Sequence, residues 1–463
     1  MPRHENDLGA SRTQRLVATL ARMLEAGAPK PGERLPSVRQ AAETHGVSKN
    51  TMAEVYDRLV ASGHLEARRG AGYFARTHPA KSPRWEAPHV SQAIDLVSLL
   101  REQLDQHYAV RPGDGRPPAS WMEKSELGAH FRAVRDGQSG SVEFGYGSSW
   151  GYLPLRERIS LMLEERSIQS GLDQLLLTHG ANHALDLIIR RFVEPGDVVF
   201  VDSPGYYPLF GKLKLAKAQI IGITRRPDGP DLDELAAQLK DHQPRLFFTQ
   251  SLAHNPTGGS MGMHVAHSLL RAAETHDFQI VEDDAFADIL PPLLPRLAAF
   301  DQLRRVIYVG TFAKTLSASL RVGYIAGDRE TVSALSDIKL VTTVATSDFA
   351  ERRVYDLIAG GHYLRHLRRL RQRVKDATAE ALQQLRETPL VFPQTSYGGF
   401  YLWAELPHNA DELALCARAA NEGIFLAPGC VFRPDRSTTN PALRLNVAHA
   451  NDPRFLEFLR QAL

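Results

Sequence analysis

Residues 308–324 read YVGTFAKTLSASLRVGY, and the reading of this stretch decides the rest. An apolar run at 305–309 predicts a buried strand, and Gly310 breaks it. The hydroxyl of Thr311 and the single lysine Lys314 follow, with Arg321 seven positions beyond the lysine. A lysine just past a strand end, where the backbone turns sharply, is held near a cleft instead of spreading into solvent. Burial and a nearby positive group lower a lysine pKa, which makes its amine able to form an imine. An ordinary loop lysine with a solvated tip has the same local sequence, so the remaining motifs decide between the two.

Working outward, helical segments alternate with short apolar strands at 174–177, 198–201, 219–223, 245–249, 279–281, 306–309 and 323–326. That alternation predicts an α/β sheet covered by helices on both faces, with ligands gathered at the strand ends. Four motifs stand at such ends. Thr178-His179-Gly180-Ala181-Asn182 is a glycine turn entering a helix, where the N–H groups of Ala181 and Asn182 suit a phosphate. Asp202-Ser203-Pro204-Gly205-Tyr206 puts Tyr206 on a tight turn, either stacked on a flat ring or as a half-buried core aromatic. In His254-Asn255-Pro256-Thr257-Gly258, proline and glycine fix a loop that presents the Asn255 amide. In Glu282-Asp283-Asp284, a carboxylate at the end of a buried strand can pair with a pyridinium nitrogen. Side chains alternate along an extended segment, so Asp283 is the chosen partner and Asp284 faces the other way. Near the C-terminus the strand at 442–447 projects Arg444, a fork suited to a substrate carboxylate or to a surface ion pair.

The first 80 residues have a different character. They carry twelve Lys/Arg against eight Asp/Glu, a surplus larger than the net charge of +2 for all 463 residues. A basic concentration of this kind points to nucleic acid. Leu16, Val17, Leu20 and Leu24 mark a first helix. Ser37 caps a second, and Ser48 caps a third that carries Met52, Val55, Tyr56 and Leu59. Two short strands at 65–67 and 72–74 flank a basic turn. Three helices and a basic hairpin make a winged helix-turn-helix whose third helix enters the major groove by its N-terminal end. Ser48, Lys49, Asn50 and Thr51 occupy that end, Arg39 sits near the backbone, and Arg69 and Gly70 form the wing tip. The proline-rich stretch 78–93 reads as a semi-rigid linker between a module at 8–77 and a domain at 94–463.

No apolar run reaches the roughly 18 residues of a membrane span, and the polar start lacks a signal-peptide core. Cys416 and Cys430 give neither a disulfide framework nor a metal spacing, so a cytoplasmic setting is expected. The arginine-rich segment 364–375 places Leu364, Leu367, Leu370 and Val374 three or four apart, predicting a buried apolar face and a solvated basic one.

Gly32, Leu35, Pro36, Ser37, Arg39, Val47, Ser48, Thr51, Tyr56, Leu59 and Gly63 match the pattern of the GntR family of bacterial repressors. The lysine box, with the motifs around Gly180, Tyr206, Asn255, Asp283 and Arg444, resembles the aspartate-aminotransferase group of fold-type-I pyridoxal-phosphate (PLP) enzymes. A GntR module fused to such a domain is the layout of MocR-type transcriptional regulators, which the whole chain resembles. The resemblance implies PLP held as an aldimine on Lys314, its phosphate bound by Ala181, Asn182, Thr311 and Arg321, and its phenolate oxygen by Asn255. It further implies Arg444 for the carboxylate of an amino-acid or amine effector, promoter DNA as partner, and a head-to-tail homodimer. Two departures bear on activity. Ala285-Phe286 offers no hydroxyl where many relatives carry a tyrosine, and Ala313 stands where a serine often precedes the lysine. Both weaken the case for efficient transamination more than that for cofactor binding. The alternatives are a working aminotransferase with an accessory DNA-binding module, and a DNA-binding scaffold with no cofactor.

Overall fold

The computed structural model describes residues 12–25, 28–30, 32–68, 71–76, 102, 107–115, 118–121, 147–286, 288–290, 294–394 and 397–463. Arg69, Gly70 and the linker 78–93 lie outside the described residues. The chain forms two compact units, divided between Pro88 and His89. Among the described residues no helix is long and apolar enough to cross a membrane.

The first unit holds α1 (Arg12–Glu25), α2 (Val38–His45) and α3 (Lys49–Ala61), then the antiparallel hairpin of β1 (Leu65–Arg68) and β2 (Gly72–Ala75). Ser37 starts α2 with a full capping box: its hydroxyl accepts the Gln40 N–H, and the Gln40 side chain accepts the Ser37 N–H. Gly46 ends α2 in the left-handed region at φ 58°, and Ser48 caps α3 by accepting the Thr51 N–H at 3.1 Å. The apolar residues of α3, Met52, Val55, Tyr56 and Leu59, are buried with Leu35, Ala41, Ala42, Leu65 and Ala75. Tyr56 ties the third helix to the chain before the second by donating to the Pro36 carbonyl at 3.0 Å.

The second unit is built on an eight-stranded sheet. Its strands are β3 (Leu175–Thr178), β4 (Val198–Ser203), β5 (Gln219–Arg226), β6 (Gly229–Pro230), β7 (Leu246–Thr249), β8 (Gln279–Asp284), β9 (Val306–Thr311) and β10 (Gly323–Ala326), in spatial order β3-β10-β9-β8-β7-β4-β5-β6. All seven expected strands form; the two-residue β6 is additional. Strands β5, β4, β7, β8 and β9 run parallel, and β10 is antiparallel to both β9 and β3. The C-terminal ends of β3, β4, β7, β8 and β9 therefore share one edge, and β10 starts there. Strand residues bury both faces in alternation: Leu175, Phe200, Phe247, Ile280 and Tyr308 enter one core, while Leu176, Val199, Leu246, Val281 and Ile307 enter the other.

A smaller three-stranded sheet carries β11 (Tyr401–Glu405), β12 (Ala427–Pro428) and β13 (Ala442–Asn446) in the order β11-β13-β12. A 24-residue helix, His362–Leu385, contains the arginine-rich segment. Its inward face differs from expectation at one position: Leu364 is 51% exposed. Tyr363, His366, Leu367, Leu370 and Val374 are the buried set. The spacing of four, three and four from Tyr363 to Val374 already fills the stripe, and Leu364 falls about 100° away from Tyr363. The arginines Arg365, Arg368, Arg369 and Arg373 are solvated, as expected, whereas Arg371 is half-buried and donates to the Asp288 carbonyl at 3.0 Å.

One close approach fixes the shared edge. Gly323 pairs with both Thr178 and Thr311, and a Cβ at 323 would meet Gly180 Cα at 2.7 Å and the Gly310 carbonyl oxygen at 2.8 Å. Those are backbone atoms that cannot swing aside. Gly323→Ala is expected to destabilise the second unit by about 1–3 kcal/mol, the range for overpacking, measured by denaturant unfolding against the wild type.

Candidate functional site

The shared strand edge collects the residues singled out above. Val281 points to one core of the sheet, so Asp283, two residues on, lies on that face, while Glu282 and Asp284 share the face of Ile280. Asp284 is accordingly tied into the structure through one oxygen: Arg296 Nε donates to its Oδ2 at 2.5 Å and the Tyr308 hydroxyl at 2.8 Å. Asp283 is buried, and its Oδ2 accepts from Gln250 Nε2 at 3.1 Å. Its Oδ1 has no hydrogen-bond partner among the described residues. Burial and the neighbouring Asp284 push the Asp283 carboxyl up to about 7, against the opposing pull of the Gln250 amide and Lys314.

Tyr206 precedes the helix Tyr207–Leu215 and is half-buried. It lines a recess with Asp202, Gln250, His254 and Asp283. Burial first, then the Asp283 charge, raises the proton affinity of its phenol, so the hydroxyl stays neutral. His254 also stays neutral, held down to about 4 by burial and Arg225, although Asp202 Oδ2 lies 3.4 Å from its Nε2.

At the other end of the edge, Gly180 (φ 78°) opens the helix Ala181–Phe192. The first N–H groups of a helix lack intrahelical partners, and Ala181 and Asn182 supply two of them here. Arg321 stands beside this turn and donates to the His179 carbonyl at 2.9 Å. A Cβ at 180 would lie 3.2 Å from the Arg321 guanidinium, so glycine is what lets the cation approach. Thr311, the last residue of β9, accepts the Ala313 N–H at 3.2 Å. A helix start, a hydroxyl and a guanidinium thus converge where a phosphate would fit.

Lys314 lies between these two ends, its Nζ donating to the Gly115 carbonyl at 2.7 Å. The Tyr401 hydroxyl donates to the same oxygen at 2.9 Å. Arg444 is 1% exposed, which removes the surface ion pair as an explanation. Its Nη1 donates to Asn255 Oδ1 at 3.2 Å and its Nη2 to the Gly113 carbonyl at 2.9 Å. The guanidinium lies over the rings of Tyr401 and Phe432, at 4.6 and 4.8 Å from their centroids. Phe286 is buried against Phe400 and Tyr401, at centroid distances of 5.9 and 5.6 Å.

Sequence reasoning missed Gln250, Tyr401 and the segment Gly113–Gly115. Gln250 follows an unremarkable strand end, and the other two reach the site only through contacts with residues far along the chain.

In the first unit Ser48, Lys49 and Asn50 are exposed at the start of α3, and Thr51 is half-buried. The Ser48 and Thr51 hydroxyls lie 2.7 Å apart, engaged in the cap. Arg39 is exposed and pairs loosely with Glu43 at 3.5 Å. Lys49 and Asn50 are therefore the side chains freest to read a groove.

Residues 113–461 match the family described as aminotransferase class I and II. The chain belongs to that family. Residues 12–74 match the bacterial regulatory proteins of the gntR family, so a GntR-type module is fused to an aminotransferase-like domain of fold type I. The chain is similar to the probable rhizopine catabolism regulatory protein MocR of Rhizobium meliloti, 28% identical over 92% of this chain and 87% of the relative. It is also similar to the uncharacterized HTH-type transcriptional regulator YdfD of Bacillus subtilis, 27% identical over 91% and 89%. Among solved structures it resembles kynurenine aminotransferase of Pyrococcus horikoshii, with a TM-score of 0.72 and 26% identity over 79% of this chain and 92% of that one. The α-aminoadipate aminotransferase LysN of Thermus thermophilus superposes with a TM-score of 0.71 at 26% identity, over 81% and 97%. Pyridoxal 5′-phosphate is the cofactor of this domain. The unpartnered Asp283 Oδ1 and the glycine-cleared approach of Arg321 to a helix start are what such a group requires.

Two substitutions separate the roles at α3. Asn50→Ala is expected to cost about 1–3 kcal/mol of DNA affinity and to relax preference at one base pair. Lys49→Ala is expected to weaken all sequences alike and to lower the salt slope by about one. Fluorescence anisotropy on the chain's own upstream DNA across a salt series checks both.

Proposed function

We propose that this chain is a ligand-responsive transcriptional regulator that reads promoter DNA through α3 and senses pyridoxal phosphate, or an amino acid or amine that reacts with it. The observation that carries the reading is the exposed start of α3. Lys49 and Asn50 stand at the surface of a helix anchored by Met52, Val55, Tyr56 and Leu59, leaving them available to a partner. Arg39, and Arg69 and Gly70 at the wing tip, would add backbone and minor-groove contacts.

In the second unit, each group has a task that follows from its surroundings. Bound there, pyridoxal phosphate supplies an aldehyde that condenses with amines and a ring that draws electrons from the atom it holds. Lys314 is the amine that would hold it, and Asp283 would face its ring nitrogen through Oδ1. Tyr206 would cover the ring, and the Asn255 amide would reach the phenolate side. Ala181, Asn182, Thr311 and Arg321 would hold the phosphate. Arg444 is oriented by two aromatic faces and would take an effector carboxylate in exchange for the Gly113 carbonyl. Phe286 brings no hydroxyl to this set, which favours sensing over fast turnover.

A homodimer, head-to-tail as in the layout the chain resembles, completes the proposal. Leu340, Val341, Val344 and Phe349 are exposed along one short segment, Val341 at 86%, as an interface covered by a second copy requires.

The second reading, a working aminotransferase, is favoured by the gathering of Asp283, Tyr206, Asn255 and Arg444 around the same site. Affinity for the chain's own promoter, measured with and without pyridoxal phosphate and a panel of amino acids, is set against the rate of amino-group exchange to 2-oxo acids. The regulator reading expects nanomolar, steeply salt-dependent binding that shifts with ligand, and exchange far below about 1 s⁻¹. Exchange at ordinary enzyme rates with DNA affinity indifferent to ligand contradicts it.

A further inference from the structure

Gln250 stands one residue past the end of β7 and is buried. Its side chain is used at both ends. The Nε2 amide donates to Asp283 Oδ2 at 3.1 Å, and Oε1 accepts the backbone N–H of Asn255 at 2.7 Å. The orientation of the amide is forced: turned over, it would set Oε1 against a carboxylate and its NH₂ against an N–H. Its own backbone N–H donates to Asp202 Oδ2 at 3.4 Å. Asp202 in turn accepts from the Thr249 hydroxyl at 2.8 Å and from Arg225 Nη1 at 3.2 Å, so the base of the arrangement is anchored on three strands. Asn255 Oδ1 accepts from Arg444. One glutamine therefore joins the carboxylate at one end of the site to the loop that holds the carboxylate-binding arginine at the other.

We infer that Gln250 is a positioning residue that keeps Asp283 ionised and aims its second oxygen at the ring nitrogen of pyridoxal phosphate. The inference rests on the cofactor reading above. A proton shared between a buried carboxyl and a pyridine nitrogen settles on the base that its surroundings make stronger. Burial and the adjacent Asp284 favour the carboxyl, and the donated Gln250 N–H opposes them by stabilising the carboxylate. The same bond occupies Oδ2, which leaves Oδ1 as the oxygen free to face the ring. Without the amide, Asp283 would lose both its orientation and the group that holds the shared proton on the nitrogen.

The test uses the full chain loaded with pyridoxal phosphate carrying ¹⁵N in the ring, comparing wild type with Gln250→Met and Gln250→Asn. Methionine keeps the volume and removes both hydrogen bonds; asparagine keeps an amide one methylene too short to reach Asp283. The wild-type ring nitrogen is expected to resonate as protonated, and both variants are expected to move toward the unprotonated position. Dissociation of pyridoxal phosphate should become about 10- to 100-fold easier, as for loss of a hydrogen bond to a charged group. Either variant, folded with the wild-type melting temperature and fully loaded, showing an unchanged nitrogen shift overturns the inference alone. If Gln250→Met does not fold, Gln250→Asn carries the comparison. A wild-type protein that takes up no pyridoxal phosphate overturns the cofactor reading, and this inference with it.

Discussion

The second unit depends on the two-residue period of one buried strand. In β8, Ile280, Glu282 and Asp284 face one core, and Val281 and Asp283 face the other. Three consecutive carboxylates at the end of a parallel strand would be untenable if they shared a face, since desolvation and mutual repulsion would neutralise them. The pleat separates them, and each environment assigns a task. Glu282 accepts the Leu297 and Ala298 N–H groups at 2.9 and 2.8 Å, together with the Ser251 hydroxyl, so it caps the start of the helix Leu297–Asp301. Asp284 is locked by Arg296 and Tyr308. Asp283, on the opposite face, meets no cation within ion-pair distance among the described residues; its Oδ2 accepts from Gln250 and its Oδ1 has no hydrogen-bond partner.

That division explains the polar cluster behind the sheet. Arg166 bonds Asp288 and donates to the Tyr308 and Tyr324 hydroxyls at 3.2 and 2.9 Å, and Tyr363 also donates to Asp288. The Arg296–Asp284 pair joins the same network through the Tyr308 hydroxyl, which donates to Asp284 and accepts from Arg166. A buried ion pair contributes little net stability, but removing one partner strands a charge at a cost of about 3–5 kcal/mol. The cluster is therefore better understood as a device that fixes where β8 and β9 end. It holds the strand carrying Asp283 in register with the strand that leads to Lys314, across the pairing of Asp283 with Val309.

Much of this was legible in the sequence because the relevant signals are local. Seven strands could be read from short apolar runs, and the split between Asp283 and Asp284 follows from alternation alone. The caps Ser37 and Ser48 announce α2 and α3 through a serine three residues before the N–H it accepts. Other features were hidden because their cause lies far along the chain. For Arg444 a surface ion pair stays open in the sequence as the alternative, because the rings of Tyr401 and Phe432 that lie against it come from elsewhere in the chain. Gln250 is silent in sequence: its importance comes from Asp283, 33 residues later, and from a loop that turns back on it. Leu364 shows the limit of period counting, since a leucine one place off the stripe is solvated although its spacing to Leu367 is helical.

The central claim is that one amine, Lys314, would hold pyridoxal phosphate with Asp283 toward its ring nitrogen. Reduction of the pyridoxal-phosphate-treated protein with borohydride, followed by proteolysis and mass spectrometry, tests this directly. The account predicts a phosphopyridoxyl adduct on the peptide containing Lys314, and its loss in Lys314→Ala. An unmodified Lys314 peptide, or an adduct spread over surface lysines and indifferent to Lys314→Ala, would contradict it.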